Sequence, residues 1–163
     1  HDSGRVFLEG KEIYIKSPAC AMKHGIAYLP EDRQLQGLIL SWDIGKNITL
    51  PILERTSKNG WINKENEERI ANEYFHELKI KANSIHDLVN SLSGGNQQKV
   101  IVAKLMALNV KVLILDEPTK GVDVGAKYAI YEIINSLVED GFGILLIHPK
   151  CRKLSQCATG FLL

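Results

Sequence analysis

Two stretches of this 163-residue sequence hold residue types that could act on a phosphate-bearing ligand. The first is Leu92-Ser93-Gly94-Gly95-Asn96-Gln97-Gln98-Lys99. Two glycines let a backbone come close to a ligand, and the helix that follows turns its free N–H groups and positive dipole end toward an anion. Alone, Ser-Gly-Gly before a helix reads first as a plain turn and N-cap. The second stretch is Val112-Leu113-Ile114-Leu115-Asp116-Glu117-Pro118. A strand delivering Asp116 to its C-terminal tip puts it where α/β sheets bind ligands. Asp116 suits Mg²⁺, held through water, because that ion takes few carboxylates and completes its shell with water and phosphate oxygens. Glu117 is placed to polarise an attacking water as a base in phosphoryl transfer. Taken alone, these acids read as a solvated turn at a strand end.

The elements that must position these residues follow from the pattern. Val112–Leu115 is apolar without alternation, which predicts a buried parallel strand. Asp123 predicts the cap of a helix reaching about Val138, with Ile130, Ile133, Ile134 and Leu137 on its apolar face and Gly141 near its end. Phe142–Ile147 predicts the next strand, and strand–helix–strand implies a parallel crossover, hence an α/β core. Asn96 to about Leu108 predicts the helix after the glycines. Upstream, residues 5–15 predict a hairpin turning at Glu9-Gly10-Lys11. Ser17-Pro18 opens a short helix closed by Gly25, and Ile26–Leu29 is a strand ending at Pro30. Residues 31–91 are polar and helix-rich. Lys58-Asn59-Gly60 marks a turn there, and Asn63 caps a helix to about Leu78 whose first turn holds Glu65, Glu67 and Glu68; position 66 is Asn, so the capping box is incomplete.

Composition sets the outer limits. Apolar residues make 45% and charged residues 24% of the chain, which excludes disordered and fibrous classes, and the length gives room for one domain with a core. Twenty Lys and Arg against nineteen Asp and Glu leave a net charge of +1, with no electrostatic footprint for nucleic acid or an anionic membrane. No apolar run approaches the ~20 residues of a membrane span, and the first residues do not resemble a secretory signal. Cys20, Cys151 and Cys157 cannot all pair with one another, lack metal spacing and suit a reducing compartment. The absence of an initiator Met leads us to expect a chain that starts inside a longer polypeptide.

The order of the motifs is more specific than either alone. Leu92-Ser93-Gly94-Gly95-x-x-Gln98, a helix of about four turns, a strand ending Asp116-Glu117-Pro118, and then Gly121-Val122-Asp123 resemble the ATP-binding cassette family: signature motif, Walker B strand, catalytic Glu and D-loop. Asn96-Gln97-Gln98-Lys99 after the glycines, and Asp116-Glu117-Pro118-Thr119-Lys120-Gly121-Val122-Asp123-Val124-Gly125, look like the ATPases of bacterial sugar importers of the ribose, galactose and xylose type. Those proteins carry two cassettes in one chain. Gly25-Ile26-Ala27-Tyr28-Leu29-Pro30-Glu31-Asp32-Arg33 with Gly37-Leu38 resembles the second. The resemblance covers about residues 3–147.

It implies part of a RecA-like P-loop NTPase core, residues 1–147, with a parallel sheet and a helical subdomain at about 37–91. It also implies ATP and Mg²⁺ as cofactors, with Glu117 as catalytic base and Asp116 as metal ligand. Ser93, Gly94, Gly95, Gln97, Asp123 and Glu31 would be nucleotide contacts. In the family two cassettes dimerise head to tail, each ATP lying between one P-loop and the other cassette's signature. The implied partners are a second cassette, the membrane permease subunits and, indirectly, a periplasmic sugar-binding protein, with the cassette at the cytoplasmic face of the membrane. Which sugar is carried is not legible, because importer specificity lies in other subunits.

The sequence departs from that pattern in three places. No G-x-x-x-x-G-K-[ST] occurs; Gly45-Lys46 is a decoy, with Leu at 40 and Asn at 47. Ser3-Gly4-Arg5-Val6 resembles the strand after the P-loop helix, so the resemblance implies a piece that begins after the loop. Glu31 stands where most cassettes have the Q-loop Gln; it either reaches Mg²⁺ or water, or is a loop acid salt-bridged near Arg33, a reading that also takes in Asp32 and Arg33. His148 lies 31 residues after Glu117, near the spacing of the family's switch His. Yet residues 148–152 can be written CAT-CCG-AAA-TGC-CGG, and one inserted T gives Ser-Ser-Glu-Met-Pro, where the resembling second cassettes read Ser-Ser-Glu-Met or Ser-Ser-Glu-Leu, without His. We therefore expect residues 148–163 to be a frameshift product, poorly packed, leaving His148, Cys151 and Cys157 without a designed role. His24 suits a helix end, His76 and His86 read as surface or core-edge residues, and Trp61 and Tyr74 as packing.

The function expected is ATP hydrolysis coupled to sugar import, in a protein of which this chain is a piece. The alternatives are a non-catalytic piece that supplies only a signature surface, a truncated product without function, and a cassette ATPase of chromosome maintenance, whose long coiled coil is not seen here.

Overall fold

A computed structural model describes residues 4–58 and 60–147. The chain opens with a hairpin, β1 (Val6–Leu8) and β2 (Lys11–Ile13), paired antiparallel with Leu8 opposite Lys11. Glu9 and Gly10 both have positive φ, as a two-residue hairpin turn requires. Helix α1 (Pro18–Lys23) is capped by Ser17, whose hydroxyl accepts from the Cys20 N–H, and has Pro at its first position, as expected. Strand β3 (Ile26–Leu29) leads into a π-helical turn, Arg33–Gly37. Helices α2 (Ile44–Thr49) and α3 (Leu53–Thr56), a small hairpin β4 (Ser57–Lys58) and β5 (Trp61–Ile62), and helix α4 (Lys64–Glu77) fill the polar, helix-rich region, in which the sequence had marked the turn at 58–60 and the helix after Asn63. Helix α5 (Gly94–Ala107), β6 (Val112–Asp116), α6 (Val124–Glu139) and β7 (Gly143–Ile147) complete the order.

The strands β3, β6 and β7 form a parallel sheet with β6 in the middle, so the α/β class stands. Ala27, Leu113 and Ile144 lie in register, as do Leu29, Leu115 and Leu146, on the face toward α5 and α6. The other face is open: Tyr28 is half exposed, and Leu145 and Ile147 are each 45% exposed. The unbroken apolar run in β6 predicted burial on both faces. Instead Leu113 and Leu115 are buried while Val112 and Ile114 are only partly so, because among the described residues the sheet is covered on one side.

Helix α5 is the centre of the molecule. Val100, Ile101, Val102, Ala103 and Leu105 are all buried, as in a helix packed on several sides. It lies against α2 and α4 on one side and β3 and α6 on the other. Even Lys104 is drawn in; its ammonium donates to the Gly37 carbonyl at 3.0 Å, and burial pushes its pKa down.

The Gly45-Lys46 pair sits inside α2, where a Cβ at Gly45 would already touch Ile85 and Ala71 at 3.4–3.5 Å. Those are ordinary contact distances, and Gly45 is buried inside this helix, so the pair is no phosphate-binding loop. Asp43 caps α2, and buried Asn47 spends its amide on the Ile39 N–H and on the Ile39 and Asp43 carbonyls. Asn63 caps α4 by accepting the Asn66 N–H, and the helix ends at Glu77, one residue short of the expected Leu78. Tyr74 packs as expected, its hydroxyl near the Met106 carbonyl. Trp61 does not: it is 82% exposed, because its two-residue strand projects from the body with nothing described against it. His24 is the C-cap of α1. His76 stands at the end of α4 with its ring edge-on to Phe75, and His86 is exposed. The expectation for residues 148–163 lies outside the described residues.

Candidate functional site

Leu29 pairs with Leu115, so the segments after β3 and β6 leave the sheet at the same edge. That register brings Glu31 into the neighbourhood of Asp116, Glu117 and Lys120. The Tyr28 hydroxyl donates to Asp116 Oδ2 at 2.9 Å, which raises the Tyr28 pKa because ionisation would set a phenolate beside a carboxylate. Glu31 is ion-paired with Lys120, and that hydrogen bond raises the Lys120 pKa. Glu31 is thus a salt-bridged acid, but its partner is Lys120 rather than Arg33. Both partners are about half exposed, so the pair contributes little to stability.

Glu117 holds φ of +44°, a left-handed conformation that is uncommon for a side chain of this kind. Two bonds fix it there. Its N–H donates to the Ile147 carbonyl at 3.0 Å, and its own carbonyl accepts the Lys120 N–H at 2.9 Å. Strained backbone at the tip of a central strand turns the chain sharply into Pro118–Asp123.

The start of α5 is held differently. Ser93 is exposed, and its Oγ accepts from Asn96 Nδ2 at 3.0 Å rather than from an N–H of its own helix. The amides of the first turn therefore keep their anion-binding capacity. The glycines are tight. A Cβ on Gly94 would lie 2.8 Å from Arg33 Nη2 and 3.1 Å from the Gly121 carbonyl oxygen, and one on Gly95 would lie 2.5 Å from the Ala126 Cβ. Their smallness lets the turn after β6 and the start of α6 press against the start of α5.

Asp123 caps α6 by accepting the Ala126 N–H at 2.9 Å. Gln97 is buried; its Nε2 donates to the Val89 carbonyl at 3.2 Å, and its Oε1 lies 3.4 Å from Arg33 Nε and from Gln34 Nε2. Its carboxamide is committed inside the chain.

Arg33 ties these parts together. Nη1 donates to the Lys120 carbonyl at 2.6 Å and Nη2 to the Gly121 carbonyl at 3.2 Å. Asp32, beside it, caps the π-helical turn by accepting the Gln34 and Leu35 N–H groups. A cleft of about 210 Å³ opens between residues 31–34 and Lys120-Gly121. A second, of about 410 Å³, runs from Ser93 and Asn96 to Asp123 and Ala126, with Lys81 and Lys99 on its wall.

The expected site residues thus fall into two groups. Asp116, Glu117 and Glu31 share the sheet edge, while Ser93, Gly94, Gly95 and Asp123 share the joint between α5 and α6. Sequence reasoning missed Tyr28 and Lys120, and placed Arg33 only as an ion-pair partner. Tyr28 could have been found from β3 period, which sets it opposite Ile114 on the open face; no local signal marks the other two. No group of three or more His, Cys, Asp or Glu able to hold a metal occurs among the described residues. A site of one or two carboxylates fits Mg²⁺, which keeps several waters, better than an ion that needs a protein cage. No described helix is long and apolar enough to cross a membrane. His148 lies outside the described residues.

Comparison with known proteins gives this arrangement a family. The ABC transporter family model matches residues 1–120. The chain is 50% identical over 151 residues to the xylose import ATP-binding protein XylG of Thermoanaerobacter pseudethanolicus, covering 93% of this chain and 30% of that protein. It is 48% identical over 149 residues to the ribose import ATP-binding protein RbsA of Geobacillus kaustophilus, covering 91% and 30%. The chain therefore spans about 30% of the length of these curated relatives. Among solved structures it is similar to a nucleotide-free ATP-binding cassette from an ABC transporter, with TM-score 0.73 and 25% identity over 91% of this chain and 60% of that one. It shares the fold of a dimeric ATP-binding cassette in a post-hydrolysis state bound to ADP and Pi, with TM-score 0.71 and 21% identity over 91% of this chain and 64% of that one. The chain belongs to the ABC transporter family.

Proposed function

We propose that this ABC transporter-family chain is part of the second cassette of a sugar-import ATPase, and that its main contribution is a signature surface offered to nucleotide held by another cassette. Ser93 and the N–H groups of Gly94 and Gly95 would meet the terminal phosphate of that nucleotide, with Asp123 at the rim of the same surface. The observation that carries this reading is the joint itself. Gly94 and Gly95 are pressed against Gly121 and Ala126, so the start of α5 and the turn before α6 form one preorganised face with unspent amides.

Asp116 and Glu31 would hold Mg²⁺ through water, and the ion would supply charge neutralisation for phosphate oxygens. Glu117 would accept the proton of the attacking water. Tyr28 orients the Asp116 carboxylate, and Lys120 neutralises Glu31. Gln97 supports the surface from inside. The wider partners are a second cassette, permease subunits in the membrane and a periplasmic sugar-binding protein, with the cassette at the cytoplasmic membrane face. The resemblance of about half of all residues to xylose and ribose import ATPases supports this assignment.

Two measurements test it. The full-length ATPase, reconstituted with its permease, should hydrolyse ATP faster when sugar-loaded binding protein is supplied; no stimulation by any pentose or hexose overturns the import reading. The 163-residue chain alone, which carries no G-x-x-x-x-G-K-[ST], should show no micromolar ATP affinity by calorimetry. Binding near −8 kcal/mol, the value for about 1 μM, would mean that this chain holds nucleotide by itself.

A further inference from the structure

Arg33 is spent on neutral acceptors, three of them at once. Lys120 has Glu31, and Lys46 and Lys111 elsewhere have Asp43 and Glu9. The Arg33 guanidinium instead reaches two successive backbone carbonyls, Lys120 and Gly121, and the carboxamide of buried Gln97. Its plane is bounded by glycines on two elements. A Cβ on Gly94 would stand 2.8 Å from Nη2, and one on Gly121 would stand 3.3 Å from Nη1. A planar fork with several fixed donors can hold two carbonyls and a third group at once; an ammonium on a flexible stem cannot reproduce that geometry. The residue also begins the π-helical turn, so whatever moves the segment after Glu31 pulls on both carbonyls.

We propose that Arg33 is a positioning residue that locks the turn before Asp123 onto the start of α5, so that Ser93 and Asp123 face a partner's nucleotide as a single surface. The inference rests on the signature reading above and deepens it. Arg33 need not touch the nucleotide. It sets the distance between two groups that do, and a misplacement of about 1 Å is enough to slow a reaction by up to about 100-fold. Substrate affinity, supplied by the other cassette's own phosphate contacts, should be left nearly alone.

The test has one arm on this chain and one on the full-length ATPase. In the 163-residue chain, Arg33→Lys should speed amide exchange of Lys120, whose N–H closes the turn on the Glu117 carbonyl, while Leu113 in the central strand keeps its protection. Unchanged Lys120 exchange overturns the lock. In the full-length ATPase, Arg33→Lys should lower kcat by about tenfold or more with KM for ATP changed less than about twofold. Arg33→Ala should regain part of that loss in millimolar guanidinium chloride, which can re-enter the slot between the glycines, and should not regain it in sodium chloride. A raised KM at unchanged kcat, or rescue by both salts alike, overturns the positioning role. Ser93→Arg serves as the control: if it leaves turnover intact, the signature reading fails and this inference with it. If Ser93→Arg stops turnover while Arg33→Lys does not slow it, only the inference on Arg33 fails.

Discussion

The start of α5 and the tip of β6 both present chemistry at one end of the fold, but they are built by different physics. At α5 the geometry is fixed by close packing. Gly94 and Gly95 leave no room for a methyl group, Gln97 is buried, and Arg33 is shared among three acceptors. At the tip of β6 the acids are exposed or half-buried, and their partners are single side chains: Tyr28 for Asp116 and Lys120 for Glu31. Only the backbone of Glu117 is firmly held, and it is held in strain. The first region is finished before any ligand arrives. The second has provisional contacts that a ligand or ion can replace at small cost, since exposed pairs contribute about 0–1 kcal/mol. Preorganised amides act on developing charge without reorganising, so the finished region is where substitutions should hurt most.

The largest expected effect sets the two regions directly against each other. In the full-length ATPase, Ser93→Arg should remove most turnover, by about 100-fold or more, because a long side chain fills the approach to preorganised donors worth about 2.7–4 kcal/mol. Glu117→Gln in the same protein should be milder. Steady-state ATPase rates decide it, and a larger loss for Glu117→Gln would make the strand-tip site the working one and reverse the comparison.

Next in size is a test of packing against exposure. Gly95→Ala places a Cβ within 2.5 Å of Ala126. Overpacking should cost about 1–3 kcal/mol, less the gain of up to about 1 kcal/mol from replacing glycine in a helix. Lys120→Met removes an ion pair between two half-exposed side chains, which solvent screens, and should cost less than Gly95→Ala. Urea unfolding of both variants gives the order. If Lys120→Met were the more destabilising, the strand-tip contacts would be structural rather than provisional.

Much of this was legible in the sequence, and the reasons differ between the two regions. The placement of Asp116 and Glu117 at a strand tip was legible because a strand ends where its apolar run ends, and that of Asp123 because a helix needs a cap. Ser93 to Gly95 were singled out from residue type and order. What could not be read was anything that depends on register between distant segments. Arg33 meets Lys120 and Gly121 across more than 80 residues, and Tyr28 meets Asp116 across 88. No local pattern encodes which loop tops which strand. Helix α2 was missed for another reason: at six residues it is too short for periodicity to show, and its stability comes from Asn47 and the surrounding core rather than from propensity. The glycines were found for one reason and turn out to have a second, since the space they leave is filled by this chain's own turn.

The smallest effect concerns the hydrogen bond that makes the strand tip provisional. Tyr28 donates to Asp116, and this bond, then burial, then the Asp116 charge raise its pKa. Between the ordinary tyrosine value of about 10 and the raised value, the folded chain binds the phenolic proton more tightly than the unfolded chain does. The bond's stabilisation is therefore fully present below about pH 10 and is lost as pH rises through the folded pKa of Tyr28. Near neutral pH it is intact. Spectrophotometric titration of tyrosinate in the 163-residue chain should show two late-ionising groups, Tyr28 and Tyr74, the second pushed up chiefly by burial, and Tyr28→Phe should remove one of them. Asp116→Asn should shift that group back toward the ordinary value, because a neutral amide no longer opposes the phenolate. Stability of Tyr28→Phe at neutral pH should fall by about 0.5–1.5 kcal/mol or less, the usual net worth of one hydrogen bond, reduced here by the half exposure of Tyr28. If both late groups persist in Asp116→Asn, Tyr28 is held by something other than this carboxylate, and the acids at the strand tip would not be as easily released as their exposure implies.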